Sequence, residues 1–469
     1  MTGSRTGAIS RARQYFDDGN YLRELDIWLR YQTESQKHEK LPEQTRFLEE
    51  VIIPYLQRMG FDVTLHPNPI EGIGPIVVAR RIEDETLPTL LSYGHGDIVT
   101  VFPSEWMEGI DPWAATLRDG RIYGRGAVDN KGQVLLMMAA QDAVMRERNG
   151  KLGFNSIFLI ETAEEQGSPG LELFIEENRD ALASDLLVWS DGPRVAFERQ
   201  ELNIGARGGM QFDLCVDYGR TGGLHSGHWG GAVRDAAVVL THALASLTTP
   251  TGRIAVEGWV PDEIPAAVKE AIDSLDVDPV PGFDQVDPAW GQTELSTTAK
   301  VIGTTSFIIL AMTAGSPDKP VNAVPGSARA RCQVRYTADL DGSTVIPNLR
   351  RHLDLHGFPD IEIKPSGRAD FDAWRTPPDN SWVQWANRSI TETTGSSANI
   401  LPNGAGSNPG GLFAKHLGIP AMKIPHSYKG CNMHGANEHA LVEQYRDGFA
   451  VMAALYWDLG EADAASLVS

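Results

Sequence analysis

The sequence predicts an α/β fold in which one domain of sheet and helices is interrupted by a smaller α+β domain. Three observations carry this. From about residue 75, short apolar runs alternate with helix-like stretches, the pattern of an α/β sheet covered by helices on both sides. Across Ile204–Gly209 the pattern gives way to an alternating strand and a Gly-rich loop. After residue 368 the first pattern resumes. The first domain therefore takes residues 1–204 and 369–469, and the inserted domain takes residues 205–368.

In chain order, residues 10–60 read mostly as helices. Leu22, Leu25, Ile27 and Leu29 alternate with charges, and Phe47, Val51, Ile52, Leu56 and Met59 form a second periodic run. Ile76–Ala79, Thr89–Tyr93, Ser156–Glu161 and Leu186–Trp189 read as strands buried on both faces, with helices at Gln133–Val144 and Leu171–Ile175. Asp119-Gly120 is a hairpin turn between Ala115–Leu117 and Arg121–Tyr123. In the insertion, a strand at Met210–Val216 leads into the Gly-rich loop Gly219–Gly231. An amphipathic helix follows, with Val233, Ala236, Ala237, Leu240, Leu244 and Leu247 on one face. A Pro/Asp-rich stretch, Pro261–Pro288, precedes strands at Thr305–Ala311 and Ala328–Tyr336, a helix at Val345–Leu355 and a strand at Asp360–Lys364. A helix at Trp382–Thr394 and a strand at Ala398–Leu401 return to the first sheet.

Composition narrows the function classes. The 469 residues are 42% hydrophobic and 22% charged, as in a soluble globular protein. Acidic residues number 62 against 41 basic ones, a net charge of −21 that repels phosphate backbones and argues against nucleic acid as a partner. No run approaches the roughly 20 apolar residues that span a bilayer, and the first ten residues lack the apolar segment of a secretory leader. Cys215, Cys332 and Cys431 are far apart and form no CxxC pair, which fits a reducing cytoplasm.

Acids and histidines recur where predicted strands end. His95 and Asp97 follow one strand in Ser92–Asp97, and Asp129 sits in the glycine-rich Gly124–Gly132 loop that opens a helix. Glu164 and Glu165 follow another strand, Asp191 a third, and His434 begins the segment His434–His439. In open α/β sheets ligands collect beyond the carboxyl ends of strands. Oxygen and imidazole donors of this kind suit Zn, Mn or Co, and one carboxylate can bridge two ions about 3.5–4 Å apart. In a Glu-Glu pair on a turn, one carboxylate can bind metal while the other serves as general base. Taken singly, each motif has a plainer alternative: a polar loop for His-Gly-Asp, a helix cap for Asp-Asn-Lys-Gly, a turn for Asp-Gly. Their joint occurrence in one order favours a metal site. Gly124-Arg125-Gly126 lacks the third glycine of a dinucleotide loop, since Asp129 stands there. The stretch Gly404–Asn408 is no G-x-S-x-G elbow, and no HExxH occurs.

On these residues the chain resembles the M20 metallopeptidases, dinuclear zinc enzymes that include carnosinase-like dipeptidases, Gly-X carboxypeptidases and aminoacylases. The resemblance implies a dinuclear-zinc exopeptidase catalytic domain with an inserted lid that also forms a dimer. It implies that His95 binds the first metal, that Asp97 orients it, and that Asp129 bridges both metals through a loop with a cis Asp129–Asn130 peptide. Glu164 corresponds to the general base and Glu165 to a metal ligand. Asp191 corresponds to the carboxylate on the other metal, and His434 to its histidine. The segment Gly223–Gly231 is similar to the family's lid motif, whose histidine reaches into the neighbouring subunit and steadies the oxyanion. His225 takes that position, with His228 nearby. Asn322–Ala328 followed by Val334-Arg335 is similar to the lid strand pair, which implies that Arg335 binds the substrate carboxylate with Asn322 close by. Gly406 and Ser407 lie where the family offers backbone and hydroxyl groups to substrate. Asn403-Gly404-Ala405 departs there from the commoner Glu-Gly-Gly-Ser form, in which an acid favours a free α-amine. His426 is a candidate pocket residue.

The expected activity is hydrolysis of an amide bond in a dipeptide or related small amide with a free carboxylate, by a metal-bridging water that Glu164 activates. An N-acyl or N-carbamoyl amino acid amidohydrolase is the alternative, and a non-catalytic interaction protein on the same scaffold is the rival from another class. The expected cofactors are two divalent ions, Zn2+ first, with Mn2+ or Co2+ also suited. The expected partners are a small-molecule substrate and a second copy of the chain, joined through the lid, with no nucleic acid and no membrane.

Overall fold

A computed structural model describes residues 3–220, 223–278, 285–316, 318–366 and 371–462. Strands β1 (Asp62–His66), β2 (Ile76–Arg81), β3 (Thr89–His95), β4 (Asn155–Glu161), β5 (Leu186–Trp189) and β6 (Glu201–Asn203) begin the main sheet. Strands β7 (Gly208–Asp217), β8 (Ser306–Thr313), β9 (Ser327–Tyr336) and β10 (Glu362–Pro365) build a second sheet. Strands β11 (Asn399–Leu401) and β12 (Ala421–Lys423) return to the first. The main sheet runs β1-β2-β4-β3-β5-β12-β6-β11 and the second runs β8-β9-β7-β10.

The four strands β4, β3, β5 and β12 are parallel neighbours, and the register pairs His95 with Glu161, Tyr93 with Trp189, and Trp189 with Lys423. Their carboxyl ends therefore lie side by side. Every residue of β4 is buried, as a strand covered on both faces requires. The outer strands β1 and β2 run antiparallel, so the sheet is mixed. The link between them is residues 67–75, too short for the dozen or more residues a parallel crossover needs.

Helix Lys131–Glu147 packs against helices Arg5–Asp17 and Val442–Leu459. The last of these carries no amphipathic stripe because it is buried nearly all round, Tyr445, Phe449, Met452 and Tyr456 included.

In the second sheet, residues of β9 alternate between a buried and a more exposed side. The buried side of this sheet packs Phe212, Leu214, Ala330, Cys332 and Val334 against Leu240, Leu244, Trp259, Leu349 and Leu353. Edge strand β8 differs: Phe307 packs on Trp259 at its start, but Ile308, Ile309, Leu310 and Met312 are exposed, so beyond Phe307 neither face is covered.

Several elements depart from expectation. The Gly219–Gly231 stretch contains a two-residue ladder, Leu224–His225 against Ala323–Val324, and a helical turn at Ser226–Trp229. Residues 221–222 lie outside the described residues. The following helix is Ala236–Ser246, starting where the Asp235 side chain accepts from the N–H groups of Ala237 and Val238. Pro261–Pro288 contains a helix at Ala266–Asp273, and residues 279–284 lie outside the described residues. That helix and Thr297–Ile302 place Val268, Ile272, Ala299 and Ile302 against Leu401 of β11, so this part of the insertion packs on the main sheet. At the first crossing, Gly205–Ala206 pairs with Trp374–Arg375 before β7 begins. The expected boundary at 368/369 lies outside the described residues.

Candidate metal centre and active site

The chemistry-bearing side chains gather at the carboxyl ends of β3, β4 and β5. His95 ends β3, and continuing the Tyr93–Trp189 register by two residues places Asp191 beside it. Asp129 arrives from the loop before helix Lys131–Glu147. That helix starts so close to the loop that a Cβ on Gly132 would run into the Ala127 carbonyl. His434 approaches from the segment before the last helix, with a positive φ of 62°. The Asp129–Asn130 peptide is cis.

Asp129 is the centre of the cluster. Its Oδ1 lies 3.1 Å from His95 Nε2, and its Oδ2 lies 2.8 Å from His434 Nε2. Two groups result, His95–Asp129–Asp191 and Asp129–Glu165–His434, each with its ligand atoms within 4.8 Å of one another. Asp129 belongs to both. The grouping differs from the expected one, in which Asp191 and His434 share a metal: Asp191 joins His95, and Glu165 joins His434 at 3.2 Å. Strand order decides this, because β3 and β5 are neighbours in space.

The donor set and its burial fit a pair of divalent cations. Carboxylates of Asp129, Glu164, Glu165 and Asp191 crowd into one buried place, and Glu165 Oε1 has no hydrogen-bond partner among the described residues. Burial, with the charge of Asp129 beside it, pushes Glu165 up to about 7 and raises Asp191 as well. Burial raises Glu164 well above the carboxylate range against the pull of His95, and Asp191, Glu165 and Asp129 add to the rise. At Asp129 burial is overcome by the bonds to His434 and His95, which hold its carboxyl low. Hydrogen bonds to Asp129 and Glu165 lift His434 to about 10. Buried like charges of this density call for a cation, and oxygen with imidazole suits a divalent one.

Neighbouring groups hold these residues in place. Asp97 Oδ1 lies 3.2 Å from His95 Nδ1, which directs Nε2 into the cluster. The same carboxylate accepts from Glu164 N at 3.2 Å and Glu165 N at 3.1 Å, so it also fixes the Glu-Glu turn.

Sequence reasoning assigned no role to Glu438. This fully buried carboxylate accepts from the N–H groups of Gly126, Val128 and Asp129 and pairs with Arg125 at 2.5 Å. Asn130 is a second such residue: its side chain donates to Ser190 O and Asp191 Oδ1 and accepts from His95 N, tying β3 to β5. The signals were present, since Glu438 shares a motif with His434 and Asn130 follows Asp129.

A cavity of about 350 Å³ opens on Asp129, Glu164, Asp191 and His434, and Gly406 and Ser407 line it too. Arg335 reaches its rim by donating from Nη1 to Ser407 Oγ at 3.1 Å. Beside it Arg207, also missed, donates to Ala405 O at 2.9 Å and to Ser306 Oγ. Burial, with Arg335 close by, brings the Arg207 guanidinium down to about 10. His225 and Asn322 do not line this cavity. His225 sits on the two-residue ladder and Asn322 immediately precedes its second strand; Ser226 N donates to Asn322 O at 2.9 Å and the His225 ring lies 4.6 Å from that of His228. His426 is buried outside the lining, and burial lowers it well below the usual histidine range.

Comparison with known proteins places this geometry. Residues 91–458 match the model of the peptidase family M20/M25/M40. The chain is 26% identical to human Beta-Ala-His dipeptidase over 97% of its own length and 93% of the relative's. It is 28% identical to the cysteinylglycine-S-conjugate dipeptidase of Corynebacterium striatum, over 76% of each chain. The structure of an M20 family metallo-carboxypeptidase from Sulfolobus solfataricus superposes with a TM-score of 0.77 at 26% identity, covering 94% of this chain and 99% of that one.

Proposed function

This chain belongs to peptidase family M20/M25/M40 and is a hydrolytic enzyme that uses divalent metal, and on that premise we propose that it cleaves the amide bond of dipeptides or closely related small amides carrying a free carboxylate. One observation carries the reading: Asp129 is shared by two histidine–carboxylate groups beside the buried carboxyl of Glu164.

In this proposal His95, Asp129 and Asp191 hold one ion, and Asp129, Glu165 and His434 hold the other. Two divalent ions, when bound in such a site, polarise a carbonyl and make water acidic enough to ionise near neutral pH. Glu164, which lines the cavity with Asp129 and Asp191, takes the proton of the attacking water and delivers it to the leaving nitrogen. Asp97 keeps His95 and the Glu164-Glu165 turn aligned. Arg335, with Ser407, receives the substrate carboxylate, for which a guanidinium fork is matched.

His225 and Asn322, exposed and outside the cavity, act on the active site of a second copy, where His225 donates to the developing oxyanion. The uncovered edge strand β8 supports a homodimer through the inserted domain. Zn2+ is the first candidate ion, with Mn2+ and Co2+ also suited to these ligands. Three free thiols fit a cytoplasmic enzyme, and among the described residues no helix is long and apolar enough to cross a membrane.

The test is hydrolysis of a panel of dipeptides and N-acyl amino acids by purified protein, with and without chelator. Cleavage that chelator abolishes and added Zn2+ or Mn2+ restores is the expected result. A protein loaded with two ions that cleaves nothing sinks the reading.

A further inference from the structure

Building on the amide-hydrolase reading above, the geometry points to an acyl-side subsite that accepts an acyl group ending in a carboxylate rather than one bearing a free α-amine. The substrate class is the monoamide of a dicarboxylic acid with an amino acid. Water adds across its C–N bond, the acyl carbon takes the hydroxyl, the nitrogen takes the proton, and the products are the dicarboxylate and the free amino acid.

The argument starts from strand order. β12 ends at Lys423 in the same parallel block as β3 and β5, paired with Trp189, two residues before Asp191. The Lys423 Nζ lies over Gly192, 3.2 Å from where a Cβ would stand, and the side chain lines the cavity with Lys429 and Arg194. Among the described residues the Lys423 side chain forms no hydrogen bond or ion pair, while its backbone belongs to the sheet. Lys429 Nζ donates to a backbone carbonyl, that of Asp278, at 3.2 Å. Arg194 is 4% exposed, donates from Nε to Pro425 O, and leaves Nη2 buried without a hydrogen-bond partner among the described residues.

Against these three cations the lining offers one carboxylate outside the proposed metal ligands and Glu164, that of Glu201. Glu201 accepts from Val195 N and already lies in the field of Lys423, Arg194 and Lys429. The loop Gly404–Asn408 adds no acid. Asn403 is turned away, donating to Ile302 O and accepting from Arg375.

Direction along the cavity follows from its two ends. With the substrate's carboxylate at Arg335 and Ser407 and its scissile carbonyl beside Asp129 and Glu164, the remaining wall faces the acyl group. An ammonium there meets like charge from Lys423 and Lys429. A carboxylate finds two lysines that form no salt bridge among the described residues, with Asp191, Glu201 and Asp278 the acids in their field.

The experiment uses the metal-loaded protein and three substrates with the same leaving residue: N-succinyl-leucine, N-butanoyl-leucine and alanyl-leucine. N-succinyl-leucine is expected to exceed both others in kcat/KM by about tenfold or more, as a site built for a polar group discriminates. Lys423→Met and, separately, Lys429→Met should each lower the succinyl-to-butanoyl ratio by about threefold to tenfold, and Lys423→Glu should shift preference toward alanyl-leucine. Equal or better use of butanoyl-leucine or alanyl-leucine by the unmodified protein overturns the proposal. So does a ratio that stays unchanged in both methionine variants, which would leave Lys423 merely offsetting Asp191 and Glu201. Should no amide be cleaved, the hydrolase reading fails separately. The subsite is then decided by calorimetric binding of N-succinyl-leucine: weaker binding to Lys429→Met supports it, and equal binding overturns it.

Discussion

His95 and His225 carry the same side chain in opposite surroundings. His95 is 1% exposed, its Nδ1 lies beside Asp97, its Nε2 faces Asp129, and its backbone N–H meets Asn130. His225 is exposed on a two-residue ladder, and its ring nitrogen accepts from Gly227 N two positions on. The strand-end cluster is thus preorganised within one chain, by a parallel sheet that sets the positions and by Asp97, Asn130 and Glu438 that set the angles. The ladder is exposed, and under the proposed dimer its rigidity would come from contact with the second copy. Chemistry that needs fixed charges belongs to the first kind of place, and chemistry completed by assembly to the second.

The sharpest way to break that contrast is Glu164→Ala. It should lower kcat by about a thousandfold while metal content by mass spectrometry stays intact, because the turn remains held by Asp97 through backbone N–H groups. Loss of metal together with activity would show that Glu164 builds the site instead.

His225→Ala should cost about a hundredfold, the scale of one oxyanion donor. Mixing it with Glu164→Ala should then restore about a quarter of wild-type turnover, since half the dimers are mixed and each carries one complete site. Confirmed subunit exchange without recovery would place His225 outside the partner's reaction.

Glu438→Gln should weaken metal binding about tenfold to a hundredfold in a chelator competition, because it loosens the N–H groups on either side of Asp129. Unchanged affinity would mean that the loop holds itself.

The smallest effect belongs to the inserted domain. Bonds from Arg331, opposed by burial and assisted by Arg329, hold Asp213 below the usual aspartate range. Asp213→Asn should cost about 1 kcal/mol at neutral pH, discounted because both arginines are partly exposed. Since the folded pKa is the lower one, the wild-type advantage is complete above the unfolded value of about 3.9 and fades as pH falls below it. Thermal melts of both proteins across that range check the sign.

What could be read in advance depended on whether a residue's role is local. That Asp129, Glu164, Asp191 and His434 gather in one place is legible because each acid or histidine sits at a strand end or in a loop, where an open sheet exposes it. The partnership of His95 with Asp191 is not legible, because it depends on β3 lying beside β5 in space. Lys423 carries no signal in the sequence, and its place beside Asp191 appears only when β12 is seen to join the parallel block. Glu438 looks like one more loop acid until its distance of 309 residues from Asp129 along the chain is closed by the fold. The helix Val442–Leu459 escapes periodic reading for a physical reason: burial on nearly all sides leaves no polar face to mark its turns.

Strand β8 also sets a deadline. Its outer edge presents unpaired backbone groups flanked by Ile308, Ile309, Leu310 and Met312, the kind of surface that templates pairing with any extended chain nearby. In the proposed dimer a second copy covers this edge, and a newly made chain that folds before it arrives would be divided between docking and sticking to unfinished neighbours. Yield of soluble protein should therefore be more sensitive to synthesis rate and temperature than the deep core around Asp129 would suggest, and a single charged residue in β8 would trade assembly for solubility.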